Sequence, residues 1–197
     1  NLDLANPENI RKIKEIIREY NVKIIIHYAA INGTKYFYDM PLKVLDDNVM
    51  MTRNILKACE GEDINKIVYA SSSEVYGEPK IIPTPETHPI QLEVYNERDS
   101  YAASKAIGEF YVKLFCEKNN ISYLILRIFN TYGPRMDTSE YGQVIPEFIR
   151  KVFFEKEFTI YGDGNQTRAF TFVEDHVRLV KKLIEVANNE IVNIGSQ

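Results

Sequence analysis

Short apolar runs alternate along the chain with longer mixed stretches, and the two rhythms predict two kinds of element. Residues 22–28 (VKIIIHY) are β-branched and almost wholly apolar, which predicts a strand covered on both faces. Residues 66–70, 123–129 and 190–194 read as further strands. Helical stretches lie between them. Asn6-Pro7-Glu8 supplies a capping side chain, a proline at the first helical position and an acid in the first turn, so a helix opens there and runs to about Tyr20. Pro41 opens a second helix to about Cys59, apolar on more than one side through Leu42, Leu45, Val49, Met50, Ile55 and Leu56. Others are predicted over 101–118 and 144–154, and a last one, capped by Glu174 or Asp175, reaches Val186. The stretch holding Pro79, Pro83, Pro85 and Pro89 reads as a long loop, and so do 130–142 and 159–168.

Strands alternating with helices mean βαβ units and a parallel sheet. Such sheets bind ligands beyond the C-terminal ends of their strands. Three predicted strand ends carry small or polar groups: Ala29-Ala30, Ser71 to Glu74, and Phe129-Asn130. In the second, ASSSEVYG (70–77), an apolar strand gives way to three serine hydroxyls and a carboxylate. That is either a solvated turn or the acid–base edge of an active site.

The helix beginning at Tyr101 bears on the choice. Tyr101 and Lys105 are four residues apart and share a face, which Gly108 and Val112 continue. Ala103, Ile107, Phe110, Tyr111 and Leu114 form an apolar stripe on roughly the opposite side. Gly108 leaves room for a backbone or ligand to approach. A free tyrosine, with a pKa of about 10, is too weakly acidic to serve as a base at neutral pH. A neighbouring ammonium favours the phenolate. The alternative is an ordinary amphipathic helix with a partly exposed tyrosine.

Composition narrows the field. Hydrophobic residues make up 45% and charged residues 26%, a balance that fits one sizeable core. The net charge of −4 comes without a basic cluster, which argues against nucleic acid as a partner. No apolar run is long enough for a membrane span, so no membrane partner is expected. Cys59 and Cys116 read as buried free thiols, and the protein as cytoplasmic. His27 reads as a core histidine, and His27, His88 and His176 form no metal motif. The chain opens without methionine and ends on a strand-like run, so both ends look cut.

The chain resembles the extended short-chain dehydrogenase/reductases, specifically the NAD-dependent nucleotide-sugar epimerase/dehydratase family. The motifs appear in the family's order: DL at 3–4, IIHYAA at 25–30, DDNV at 46–49, ASSSEVYG at 70–77, YAASK at 101–105, RIFNTYGP at 127–134 and YGDGNQTRAF at 161–170. The resemblance implies an α/β fold with a Rossmann-like doubly wound parallel sheet, incomplete here, and part of a small C-terminal substrate lobe. Residues 1–130 would form the NAD-binding domain without its first βαβ unit. Residues 131–197 would contribute to the substrate lobe and return to the sheet. NAD is the implied cofactor and a nucleotide sugar the implied substrate. Asp3 and Leu4 would meet the adenine, and Tyr28, Ala29 and Ala30 the pyrophosphate and nicotinamide ribose. Asn48, Ser71 and Phe129 would complete the cofactor side. Tyr101 would be the base, Lys105 would hold the nicotinamide ribose, and Ser72 would bind the substrate hydroxyl. Asn130, Gln143, Val144, Tyr161 and Arg168 would hold the nucleotide diphosphate. A homodimer through helices 41–59 and 101–118 is also implied.

Ser73 and Glu74 bear on the reaction. Within the resembling family a plain 4-epimerase needs no second base, whereas dehydratases and UDP-glucuronate decarboxylases carry glutamate at the Glu74 position. The reading therefore leans to a 4,6-dehydratase, with 4-epimerase and decarboxylase as alternatives. Ser73 stands where dTDP-glucose dehydratases usually have aspartate. The loop IQLEVYNERD (90–99) lacks the arginine-bearing stretch that the resemblance associates with decarboxylases. The family's GxxGxxG segment is not among these residues, so the chain alone is expected to bind NAD poorly and to be inactive. A non-catalytic binding member of the family is the alternative of another class.

Overall fold

The apolar runs become a sheet. The computed structural model describes residues 2–137, 143–154, 160 and 162–196. A 3-10 turn, Pro7–Asn9, leads into α1 (Ile10–Glu19), β1 (Ile24–His27), α2 (Thr34–Asp39) and α3 (Pro41–Cys59). Then come β2 (Lys66–Ser72), a second 3-10 turn (Ser73–Tyr76), α4 (Asp99–Asn119) and β3 (Ser122–Ile128). The chain continues through β4 (Asn130–Tyr132), α5 (Val144–Phe154), β5 (Phe170–Phe172), α6 (Val173–Val186) and β6 (Glu190–Ile194).

Four strands form one parallel sheet in the order β1-β2-β3-β6. Strand β2 is buried along its whole length, with an apolar middle, Ile67 to Ala70, between the buried Lys66 and the buried Ser71 and Ser72. One face carries α1, α3 and α4 over Ile67, Tyr69, Tyr123 and Ile125, and this cluster includes Cys59 and Cys116, both buried free thiols. The other face carries α6 over Val68, Leu124, Leu126 and Ile194. The strand at 22–28 departs from the expectation of two covered faces. Ile25 packs on the helical cluster, but Ile24 and Ile26, which alternation points the other way, are exposed, Ile26 by 55%. β1 lies at the edge of the sheet, and α6 covers strands farther along.

The helix at 101–118 is turned opposite to its apolar pattern. Its buried face holds Tyr101, Ser104, Lys105, Gly108, Glu109 and Val112. Ile107, Phe110, Tyr111 and Leu114 face outward, Phe110 by 61%. Packing at Gly108 requires this. A Cβ there would lie 2.0 Å from the Tyr69 hydroxyl, so the space that the glycine leaves is filled by a β2 side chain.

Smaller departures have local causes. Neither Glu174 nor Asp175 caps α6; the cap position is Phe172 with no side-chain hydrogen bond, and both acids sit in the first turn. β4 falls in the stretch 130–142 predicted as loop, while α2 and β5 have no predicted element. Each is too short to show a period, and β4 and β5 form only through pairing with each other, Asn130 to Phe170 and Tyr132 to Phe172.

Gly108→Ala is expected to destabilise the fold by about 1–3 kcal/mol through overpacking against Tyr69. Urea unfolding at constant m checks this; an unchanged midpoint would mean that Tyr69 moves aside freely.

Candidate active site

The serine run leaves the strand later than its apolar letters suggest. Ser71 and Ser72 are still in β2, paired with Arg127 and Ile128, and both are buried. The chain then tightens into the 3-10 turn. Ser72 caps it, its hydroxyl accepting from the Glu74 N–H at 3.2 Å. Ser73 opens the turn and is half-buried.

Tyr101 sits in the first turn of α4, its ring stacked on Phe37 of α2 with centroids 4.6 Å apart. Lys105 lies one turn on. Its Nζ donates to the Ala70 carbonyl at 2.8 Å and stands 5.6 Å from the Tyr101 ring centroid. The Ser72 hydroxyl is near enough to Tyr101 to favour its phenolate form. Asn48 braces the same corner. Its amide donates to the Ser104 hydroxyl at 3.2 Å, and its oxygen accepts from the Ile31 N–H at 2.7 Å, which fixes the chain beyond β1 to α4.

The electrostatics correct a simple expectation. Burial pushes the Tyr101 phenol up, the Glu74 charge pushes it further, and only the Ser72 hydroxyl opposes them. Lys105 does not make Tyr101 a phenolate by itself; burial brings its own pKa down to about 8. His27, which is buried and bonded to Thr52 at 3.0 Å, is pushed down to about 3 by burial and then by Lys105.

The Pro-rich segment before α4 does bring an arginine to the site, contrary to the reading of 90–99. Arg98 grips Glu74 with two hydrogen bonds, Nε to Oε2 at 3.1 Å and Nη2 to Oε1 at 2.8 Å. The position of Arg98, three residues before Tyr101, is the signal that could have placed it near that side chain.

A second set was not foreseen. Glu109 is buried beneath Ser71 and Arg127. It accepts from the Ser71 hydroxyl at 2.6 Å and from Arg127 at 2.9 and 2.8 Å. Arg127 also donates to the Glu86 carbonyl at 3.0 Å, tying the Pro-rich loop down. Glu109 lies four residues after Lys105, so helical spacing already put it on the active face.

The remaining predicted residues are more scattered. Leu4 is held through its carbonyl by Asn54 at 2.9 Å, and the Asp3 carboxylate accepts from the Ala5 N–H at 2.9 Å. Tyr28 reaches His176 of α6 at 3.1 Å, and the other ring nitrogen of His176 meets Thr131 at 3.0 Å. Ala29 is exposed and Ala30 half-buried. Phe129 packs beside Tyr76, and Gly195 lies against it. Asn130 donates to the Ala169 carbonyl at 3.1 Å. Gln143 immediately precedes α5, its carbonyl accepting from the Glu147 N–H at 3.1 Å, and Val144 is exposed. Arg168 is exposed and donates to Thr167 at 2.8 Å. Tyr161 lies outside the described residues.

A parallel α/β sheet carrying a Ser, Tyr and Lys group at its C-terminal edge defines a short-chain dehydrogenase/reductase type of site. Residues 1–195 match the NAD dependent epimerase/dehydratase family, and the chain belongs to it. It is 41% identical over 189 residues to a Methanocaldococcus jannaschii protein provisionally named a UDP-glucose 4-epimerase, covering 94% of this chain and 59% of that protein. It is 36% identical over 188 residues to a UDP-N-acetyl-alpha-D-glucosaminuronate decarboxylase of Bacillus cytotoxicus, covering 93% of this chain and 56% of the relative. Its fold is similar to the crystal structure of Thermotoga maritima UDP-glucose 4-epimerase with UDP-glucose, at a TM-score of 0.87 and 26% identity over 97% of this chain and 61% of that one. The chain thus spans little more than half the length of these relatives. Among the described residues, no helix is long and apolar enough to cross a membrane.

The buried Lys105 gives a pH signature. Its folded pKa of about 8 lies below the ordinary lysine value of 10.5, so between those values the unfolded chain binds more protons than the folded one. Stability carried by this group therefore rises with pH through that window, by about 3 kcal/mol at most. Chemical unfolding at pH 7.5 and 9.5 checks this, with Lys105→Met expected to lose the rise.

Proposed function

We propose that the full-length protein is an NAD-dependent enzyme that oxidises the C4 hydroxyl of a nucleotide sugar to a ketone and reduces it again, most simply as a UDP-hexose 4-epimerase. The observation that carries this reading is the grouping at the end of β2: Ser72, the Tyr101 phenol, and one helical turn on the Lys105 ammonium, which donates to the Ala70 carbonyl of the same strand and stands 5.6 Å from the Tyr101 ring. Tyr101 takes the C4 hydroxyl proton, and Ser72 holds the sugar oxygen. Lys105 has three N–H donors and gives one to Ala70, which leaves donors for a ribose.

The residues suit a dinucleotide. The chain beyond β1 is open at Tyr28 and Ala29, and the ends of β1, β2 and β3 lie side by side. Asp3, Leu4, Tyr28, Ala29, Ala30, Asn48, Ser71, Lys105 and Phe129 would hold NAD, within residues 1–130 as the cofactor domain. NAD, when bound, accepts the C4 hydride and returns it. Residues 131–197 would add Gln143, Val144, Tyr161 and Arg168 to Asn130 for the nucleotide and its diphosphate, where a guanidinium suits phosphate oxygens.

Glu74 moves the reading away from a 4,6-dehydratase. Both its oxygens accept from Arg98, so it is a poor base for a C5 proton. An epimerase needs no such base. A second reading, loss of carbon dioxide from a UDP-uronate, is favoured by the 36% identity to the B. cytotoxicus decarboxylase. The outward stripe of Ile107, Phe110, Tyr111 and Leu114 on α4, beside α3, supports a homodimer through those two helices. The free buried thiols fit a cytoplasmic protein.

The test is incubation of the full-length protein and NAD with UDP-glucose, UDP-glucuronate, dTDP-glucose and GDP-mannose, with products resolved by mass and NMR. Inversion at C4 without mass change is expected. Loss of carbon dioxide would support the second reading, loss of water would restore the dehydratase, and no product from any donor would overturn all three. Tyr101→Phe is expected to lower turnover by about 10²–10⁴-fold.

A further inference from the structure

Arg98 lies at the mouth of the site, yet the chemistry above gives it no task. Its guanidinium does not float. The turn before α4 is braced by Asp99, which accepts from the Glu93 N–H at 2.7 Å and from the Asn96 amide at 2.8 Å. The Asn96 oxygen in turn accepts from the Arg98 N–H at 3.3 Å. The Arg98 carbonyl accepts from the Tyr101 N–H at 3.3 Å, so Arg98 and the phenol share one stretch of backbone. Tyr38 of α2 lies near enough to raise the Arg98 pKa, after the larger effect of Glu74. From this seat the two guanidinium N–H groups take both oxygens of Glu74.

We propose that Arg98 is a positioning residue that withholds the Glu74 carboxylate from the reacting sugar, so that a 4-keto sugar formed beside Tyr101 keeps its C5 proton. The inference rests on the 4-keto reading above and goes beyond it, because it assigns the fidelity of the reaction to a residue outside the Ser, Tyr and Lys group.

The chemistry sets the need. A ketone at C4 acidifies the C5–H bond. A free carboxylate beside it takes that proton: the C5–H bond breaks, its electron pair passes into the C4 enolate, and the proton rides on a Glu74 oxygen. Returning a proton to C5 from Glu74 completes an exchange with solvent and consumes nothing. A carboxylate whose oxygens already accept from a guanidinium is a weaker acceptor and is aimed away. The groups facing this corner are few. Glu74 faces Arg98 and Tyr101, and Tyr101 faces Ser72, Lys105 and the apolar ring of Phe37. Glu74 is therefore the carboxylate beside the phenol among the described residues, and Arg98 the cation that holds it. Both side chains are about one-third exposed, at 37% and 36%, so the pair lies at the opening where a sugar would enter.

The experiment follows UDP-glucose turnover by the full-length protein with NAD in deuterium oxide, reading deuterium at C5 of the product by NMR and mass. The wild type is expected to leave protium at C5. Arg98→Ala is expected to raise deuterium per turnover at least about tenfold, and Arg98→Ala with Glu74→Gln to return it to the wild-type level. Arg98→Lys keeps the charge without the fork and is expected to fall between; it carries the test if Arg98→Ala turns over too slowly. A merely structural role would change rate without changing isotope content. Wild-type isotope content in both Arg98 variants, or exchange persisting in the double variant, overturns the proposal. No product from the wild type overturns the 4-keto reading itself, and the assignment with it.

Discussion

The buried ion pair of Glu109 and Arg127 is the constraint on which the site depends. Both side chains are almost fully enclosed, and two short hydrogen bonds join them. Isolating either charge in that position would cost about 3–5 kcal/mol, so the pair fixes which face of α4 meets the sheet. That choice carries Lys105 and Tyr101 inward with Glu109, because all three lie on one helical stripe. The third partner of Glu109 is Ser71, the residue beside Ser72. One carboxylate thus sets the register between the helix that supplies the phenol and ammonium and the strand that supplies the hydroxyl. Arg127 extends the same network to Glu86, so the Pro-rich segment that ends in Arg98 is anchored to it as well.

The orientation has a consequence for the outer surface. With polar side chains turned inward, the apolar stripe of α4 has nowhere to go but out. Amphipathicity normally points the apolar stripe at the core. Here the buried hydrogen bonds and the close approach of Gly108 to Tyr69 outweigh it. An outward apolar stripe next to the long helix α3 is the kind of surface that a partner covers.

Much of this was legible in the letters. The four sheet strands, α3 and α5 follow from unbroken apolar runs and from Pro41, and the Tyr101–Lys105 spacing follows from helical geometry. What failed to show had physical causes. β1 looked doubly covered because its composition reports apolarity, whereas its place at the sheet edge decides exposure. β4 and β5 are three residues each and exist by mutual pairing across some forty residues of chain. Glu74 looked like a free base because its partner, Arg98, is distant in sequence and arrives through a loop with no period to read. Glu109 shares the helical stripe of Lys105, but its partner Arg127 lies on β3, and helical spacing cannot reveal that.

The same networks explain why Tyr101 is not activated where it stands. A phenol sealed against Phe37, with a carboxylate nearby, is held in its neutral form. Lys105, whose pKa the same burial brings down to about 8, stays mostly charged at neutrality but does not reverse these effects. Burial therefore acts on both partners in the direction that keeps the pair neutral. On the proposed reading, activation would come from groups that change on binding: a sugar hydroxyl brought to Ser72, and positive charge brought beside the ring. A base that stayed protonated until its substrate arrived would not strip protons from solvent in the meantime. The geometry that makes Tyr101 a poor base alone would then be the geometry that makes it selective.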